Sequence, residues 1–324
     1  MSMLPHERQI AEYEKALEQL KSQASPLLSQ QEVESLESKL TQLKQKVYAE
    51  LTPWERVAIC RHPARPRTVD YIKALCEEFT ELHGDRLFAD DSSIVAGFAK
   101  IGGVRCMVVG HEKGKDTETR LQRNFGMPHP EGYRKAMRCM RLAAKFHLPV
   151  VCFVDTPGAY HGLAAEERGQ GWAIAQNLWE MSALSTPIVV LLIGEGCSGG
   201  ALGIGIGDIV GMLQHSYYSV ISPEACSSIL FKDATKNAEA AKILKMHAED
   251  LLSLGVIDAI LKEPMGGAHH DTAAVYEVVR TFLLDSWAKL EELSTQQLLT
   301  RRYEKFRSLG AWTTATQESV AITS

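Results

Sequence analysis

Apolar runs at residues 150–154, 188–193 and 209–213, separated by segments of helical periodicity or by glycine, limit most strongly how this chain can fold. A strand with one wet face alternates apolar and polar residues. A strand covered on both faces need not. Short apolar runs interleaved with helices are the pattern of an α/β architecture with helices on both sides of a sheet. Residues 256–261 add a further strand of this kind. Helices are expected at about 131–146, 164–184, 236–254, 272–293 and 295–309. Residues 94–101 and 104–109, joined by Gly102-Gly103, read as a β-hairpin with a two-residue turn.

Upstream of this core, Ile10, Tyr13, Leu17 and Leu20, and then Val33, Leu36, Leu40, Leu43 and Val47, are spaced as narrow helical seams. Residues 24–26 break the two helices, and Ser29 with Glu32 forms a capping box for the second. Residues 1–51 are thus a helical hairpin, either packed on its own domain or serving as a docking arm for another subunit. Thr52-Pro53-Trp54-Glu55 opens a new helix, and residues 62–67 form a basic linker broken by proline. Thr68 starts a helix with Val69, Ile72, Leu75, Cys76 and Phe79 inward, ending by Gly84. Residues 52–312 form one domain. The Thr-rich tail 313–324 is expected to be disordered.

Composition excludes several functions. The net charge of −5 argues against a nucleic-acid protein. The 7 cysteines are scattered and include no Cys-x-x-Cys pair, so no metal site of that kind is expected and a reducing compartment suits them. No apolar run reaches the ~20 residues of a membrane span, and the N-terminus lacks the apolar stretch of a secretory signal. A cytoplasmic location without membrane contact is expected.

The segment from Gly194 to Gly207, Gly-Glu-Gly-Cys-Ser-Gly-Gly-Ala-Leu-Gly-Ile-Gly-Ile-Gly, follows a strand directly. Glycine at this density permits positive φ and close backbone approach. A helix starting here points free N–H groups at whatever sits before it. Gly203, Gly205 and Gly207 suit close helix packing, which leaves Gly194, Gly196, Gly199 and Gly200 to be explained. Gly194-x-Gly196-x-x-Gly199 matches a dinucleotide fingerprint, but Gln214 and His215 stand where an acidic ribose ligand belongs. Gly196-x-Ser198-x-Gly200 matches a hydrolase elbow with Ser198 as nucleophile, and Asp258 and His269 could complete its triad. Asp155-Thr-Pro-Gly158 resembles a GTPase switch, yet no phosphate-binding loop accompanies it. Glu166, Glu167 and Glu195 read as helix-start charges or loop ligands. A site rich in N–H donors and poor in bases implies that substrate or cofactor supplies its own base.

Together, Gly110-His-Glu-Lys-Gly114, Arg123-Asn-Phe-Gly-Met-Pro128, Pro130-Glu-Gly-Tyr-Arg-Lys135, Asp155-Thr-Pro-Gly-Ala-Tyr160, Ala165-Glu-Glu-Arg-Gly-Gln170, Ile193-Gly-Glu-Gly-Cys-Ser-Gly-Gly-Ala201, Val220-Ile-Ser-Pro-Glu224 and Gly266-Gly-Ala-His269 resemble the alpha-subunit family of the acetyl-CoA carboxylase carboxyltransferase of bacteria and plastids. The resemblance implies a crotonase-like fold of stacked ββα units in a superhelix. It implies a beta subunit in an α2β2 transferase, a biotin carboxyl carrier protein and, in the larger complex, biotin carboxylase. Biotin sits on the carrier rather than on this chain, and zinc belongs to the beta partner only. The reaction implied is carboxyl transfer from carboxybiotin to acetyl-CoA, giving malonyl-CoA for fatty-acid synthesis. Charge then grows on the biotin ureido oxygen, and the biotin enolate itself removes the acetyl-CoA proton. By the same resemblance the backbone N–H groups of Gly199 and Gly200, with Ala201 as a further candidate, hold that oxygen. Asp155, Thr156, Pro157, Gly158, Ala159 and Tyr160 line the cleft with Gly194, Gly196 and Ser198. Lys113, Lys115, Arg120 and Arg123 either face solvent or contact CoA phosphates or the partner. His161 and Cys197 depart from the Pro and Gly expected there, and a side chain at Cys197 would constrain φ beside the donors. A serine hydrolase at Ser198 and a non-catalytic docking subunit are the alternatives.

Overall fold

The computed structural model describes residue 4 and residues 7–22 and 30–310. The break at 24–26, the Ser29 cap and the tail 313–324 lie outside them. Eight strands form one sheet: β1 Cys76–Glu81, β2 Ile94–Ile101, β3 Val104–His111, β4 Val150–Thr156, β5 Ile188–Cys197, β6 Ile209–Leu213, β7 Tyr217–Ser219 and β8 Ala259–Leu261. The order is β1-β2-β3-β4-β5-β6-β8, with β7 on β5. The first three strands pair antiparallel and the rest parallel. β4 and the whole of β5 are buried, as unbroken apolar runs require.

Helices cover both faces. Pro130–Lys145 lays Met137, Met140 and Ala143 on one core, which also holds Val109, Val154 and Leu192. Thr272–Glu291 lays Val275, Val279, Leu283 and Trp287 on the other, against Val151, Val189 and Leu191. Each such buried aliphatic side chain contributes ~1.5–3 kcal/mol. Helices Arg8–Ser22 and Gln30–Ala49 form the expected N-terminal pair, linked by Lys44 and Glu14 at 2.6 Å. The base of the pair rests on the domain through Tyr48 and Leu51 against Ile59.

The structure corrects four expectations. The helix from Thr68 ends at Leu75, and Cys76–Glu81 is a strand pairing with β2. The helical spacing of Cys76 and Phe79 yields to sheet pairing, in which Phe79 stands opposite Ala99. The helix expected over 164–184 is two, Leu163–Glu167 and Gln170–Ser182, divided at Gly169 with φ 80°. That over 236–254 is also two, Asn237–Ile243 and Ala248–Ser253. Lys245 has φ 49° between them, and His247 is drawn into a bridge with Tyr217. In sequence, Val220-Ile221 also read as the end of a strand, and that strand ends at Ser219 instead.

The C-terminal helix Thr295–Arg307 is fixed by Arg302, whose side chain is fully buried. Its guanidinium donates to Asp208 Oδ1 and Oδ2 at 2.8 and 2.7 Å and to the carbonyls of Met181, Leu184 and Thr186. Removing one partner of a buried pair strands the other charge, at ~3–5 kcal/mol. Arg302→Ala is therefore expected to lose about that much stability in urea denaturation; a loss below ~1 kcal/mol would show that water replaces the guanidinium at no penalty.

Candidate active site

β5 runs further than its apolar core. Its first half pairs with β6, and Glu195, Gly196 and Cys197 continue as strand against Tyr217, Tyr218 and Ser219 of β7. Gly194 and Gly196 thus lie in extended chain rather than in a turn. A Cβ at 194 would stand 2.3 Å from Asp155 Oδ1, and one at 196 would stand 2.4 Å from Leu192 Cδ2. These two glycines are required by close packing of strand ends.

The reversal falls on Ser198, with φ 56°, and the helix Ser198–Leu202 starts there. Cys197 has φ −116° and ψ 132°, ordinary extended backbone. The strain expected beside Cys197 is therefore carried one residue on, and burial pushes the Cys197 thiol up to about 11, which keeps it protonated and non-nucleophilic. The amides of Ser198, Gly199 and Gly200 begin a helix and have no acceptor within it. Gly200 lies directly on the second loop: a Cβ there would be 2.5 Å from Gly158 C and 2.7 Å from Ala159 N. Gly158 has φ 145°, and its N–H donates to Thr156 Oγ1 at 3.1 Å. The Tyr160 N–H donates to the Pro128 carbonyl at 3.0 Å. Two backbone segments, 155–160 and 198–201, thus meet edge to edge, and His161 stands on the exposed side of the first.

Beneath them lies a buried ion network. Lys113 Nζ is 2.6 Å from Asp155 Oδ1 and 2.5 Å from Glu195 Oε2. Asp155 Oδ1 also accepts from the Glu195 N–H at 3.0 Å. Glu195 Oε1 accepts from Arg61 Nε and from Tyr217 OH, each at 2.6 Å, and Arg61 pairs with Glu224. Burial alone would raise Glu195, but Lys113 and Arg61 outweigh it and hold its carboxyl below the usual range. Burial opposes charge on Lys113, and Asp155 and Glu195 reverse that. Glu195 is thus ionised and fully engaged, a structural anion and not a base. His111 sits between the Asp155 amide, which donates to its Nδ1 at 3.4 Å, and the Gly200 backbone; burial pushes it down to about 4, so it is neutral.

Two cavities flank the helix start. One, of ≈ 370 Å³, is apolar and is bordered by Ser198, Gly199, Leu202, Ile206 and Tyr218. The other, of ≈ 240 Å³, is lined by Arg61, Arg65, Arg67, Lys113 and Arg120 with Asp155 and Pro157. The basic run divides: Lys113 is internal, Arg120 lines the cleft, Lys115 pairs with Asp70, and Arg123 donates to the Ser92 carbonyl. In the sequence Arg61, Arg65 and Arg67 read only as helix end and linker. Prolines on both sides of arginines that need buried anions were the available signal. The hydrolase triad is not assembled. Asp258 Oδ2 accepts from the Val210 N–H and from Lys305, and His269 stacks on His62 in a third cavity, away from Ser198.

The fold has solved counterparts. Transcarboxylase 12S with methylmalonyl-coenzyme A bound superposes with TM-score 0.52 at 17% identity, over 67% of this chain and 42% of that one. A Pseudomonas malonate decarboxylase hetero-tetramer in complex with coenzyme A gives 0.55 at 17%, over 68% and 88%. This likeness shows the fold, a parallel-rich sheet of the crotonase-like class. The sequence matches the acetyl co-enzyme A carboxylase carboxyltransferase-like family over residues 3–310. It is 60% identical over 319 residues to the acetyl-coenzyme A carboxylase carboxyl transferase subunit alpha of Chlamydia pneumoniae, 98% of each chain, and 57% identical over 321 residues to that of Chlamydia muridarum, 98% of this chain and 99% of that one. The chain belongs to this family of carboxyltransferase alpha subunits, and its activity is carboxyl transfer within acetyl-CoA carboxylase. The family's chemistry is linked to biotin, and an alpha subunit implies a beta partner. Among the described residues no helix is long and apolar enough to cross a membrane.

Arg65 joins this site to the last strand. It donates to the Ile193 carbonyl at 2.8 Å and to Glu263 at 2.7 and 2.8 Å. Burial would raise Glu263, but Arg65 outweighs it and holds the carboxyl at about 2. A lowered folded pKa contributes stability above the unfolded value, ~4.3, and loses it as pH falls toward the folded one. The stability gap between the parent and Glu263→Gln is expected to be largest at neutral pH and to narrow between pH ~5 and ~2. A gap independent of pH would contradict this pairing.

Proposed function

We propose that the amides of Gly199 and Gly200, with Ala201 as a further candidate, hold the ureido oxygen of carboxybiotin while the carboxyl group leaves for acetyl-CoA. The observation that carries this reading is the helix start at Ser198, whose first amides lack helical acceptors, with Ser198 and Gly199 on the border of an apolar cavity of ≈ 370 Å³. Apolar walls ending in fixed donors suit a compact bicyclic ring with one charged oxygen. Carboxybiotin supplies the activated carboxyl group and, as that departs, an oxygen that gathers negative charge. This chain's part is to orient that oxygen, exclude water with Leu202, Ile206 and Tyr218, and stabilise the charge. No side chain at the helix start is placed as a base: Ser198 lacks a histidine, and Glu195 is committed to Lys113 and Arg61. Residues 155–160 pack against the helix start, with Gly158 and Ala159 against Gly200, and Asp155 and Pro157 line the second, basic cavity.

The partners follow from the same reading. The beta subunit binds acetyl-CoA and carries the zinc, the assembly is α2β2, and a biotin carboxyl carrier protein brings biotin charged by biotin carboxylase. The cytoplasm is the expected compartment, in keeping with cysteines that are all free thiols.

Gly199→Pro removes one donor in the first turn, and the added Cβ meets only the end of the Ile174 side chain at 3.3 Å. In the variant co-expressed with beta, turnover of malonyl-CoA formation is expected to fall ~10²–10³-fold with assembly unchanged by sedimentation. Ser198→Ala is expected to keep most of the rate. Full turnover in an assembled Gly199→Pro enzyme would favour a docking role for this chain. Loss of all activity in Ser198→Ala would restore the hydrolase reading.

A further inference from the structure

Where the N-terminal hairpin meets the main domain, three side chains with metal-ligating atoms converge. Glu7 stands at the head of the helix Arg8–Ser22, and His269 and His270 lie in the loop after β8. One ligand atom of each lies within 4.8 Å of the other two. His270 Nε2 is 3.5 Å from Glu7 Oε1, and the two imidazole centroids are 4.5 Å apart. All three border a cavity of ≈ 410 Å³ shared with Glu14, Lys44 and Tyr48, with space for a hydrated cation. This cavity is separate from both that flank the helix start at Ser198.

Further observations point to a ligand. His269 Nδ1 is buried with no hydrogen-bond partner, an arrangement that asks for an explanation. Its ring is held by stacking on His62 at 3.7 Å and 16°, and His62 is itself oriented by the Ala64 N–H. Glu7 is oriented by Tyr48 OH at 2.9 Å and by the Leu4 N–H at 3.1 Å. Partners that fix the orientation of ligating groups are the supporting layer that metal sites require.

We propose that Glu7, His269 and His270 bind a divalent cation of the zinc class, with water completing the coordination. Two imidazoles and one carboxylate suit Zn²⁺, whereas Mg²⁺ and Ca²⁺ favour oxygen alone. Bonds of ~2.0–2.1 Å in a tetrahedron place ligand atoms roughly 3.3 Å apart, so the side chains draw in by about 1.5 Å at most. Gly266 and Gly267, at φ 95° and 105°, precede the two histidines and set the path of their loop. A cation held there ties the hairpin to the segment that follows the last strand.

The test is Co²⁺ titration of the full chain after treatment with a chelator, read by the visible d–d absorption of low-coordinate Co²⁺ and by its displacement with Zn²⁺. One Co²⁺ per chain is expected. Glu7→Gln and His270→Ala should abolish saturable uptake. Tyr48→Phe keeps every ligand and should weaken uptake ~10–100-fold. It carries the test if a ligand variant fails the circular-dichroism check of folding. His83→Ala, at an exposed histidine that neighbours Asp90, should change nothing. The absence of saturable uptake, its persistence in the ligand variants, an unchanged affinity in Tyr48→Phe, or an equal loss in His83→Ala would overturn the proposal.

Discussion

Asp155 couples the two backbone segments on which this site depends. One of its oxygens, Oδ1, accepts both from Lys113 and from the Glu195 amide and occupies the space that a side chain at Gly194 would need. The end of β4 is thereby locked to β5, and Gly158 and Ala159 come to rest on Gly200. Burying Asp155 and Glu195, with Lys113 largely enclosed between them, carries a large desolvation cost, offset only when each charge has partners. The return is positional: amides meant to meet a developing charge must not move when it appears.

Glycine does three separate jobs within a few residues. At 194 and 196 it lets strand ends pack. At 200 it lets a helix start touch the facing loop. At 199 it leaves the first turn open toward the apolar cavity. The non-glycine residue between them, Ser198, takes the left-handed conformation. The same conformation explains why the segment looks like a hydrolase elbow in sequence, although His269 is occupied elsewhere.

The elements read best from the sequence were those whose pattern is local. The strands at 150–154 and 188–193, the helix Pro130–Lys145 and the cap at Thr52 all follow from periodicity or from short-range hydrogen bonds. What escaped was set at a distance. Cys76–Glu81 is a strand because β2 offers an edge. The chain breaks before His247 because Tyr217 draws it away. The glycine-rich helix start was legible because its density of glycine has few other uses. The charged floor beneath it was not, since Arg61, Lys113, Glu195 and Glu224 come from four separate segments with no shared motif.

The central claim is that main-chain N–H groups at the start of the helix Ser198–Leu202 grip the biotin carbonyl. Isotope-edited infrared spectroscopy of biotin carrying ¹³C at the ureido carbonyl, bound to the assembled alpha–beta transferase, addresses it most directly. The account predicts a carbonyl stretch at lower frequency than in water, the mark of donors stronger and better aligned than solvent. A stretch at or above the aqueous frequency would contradict it.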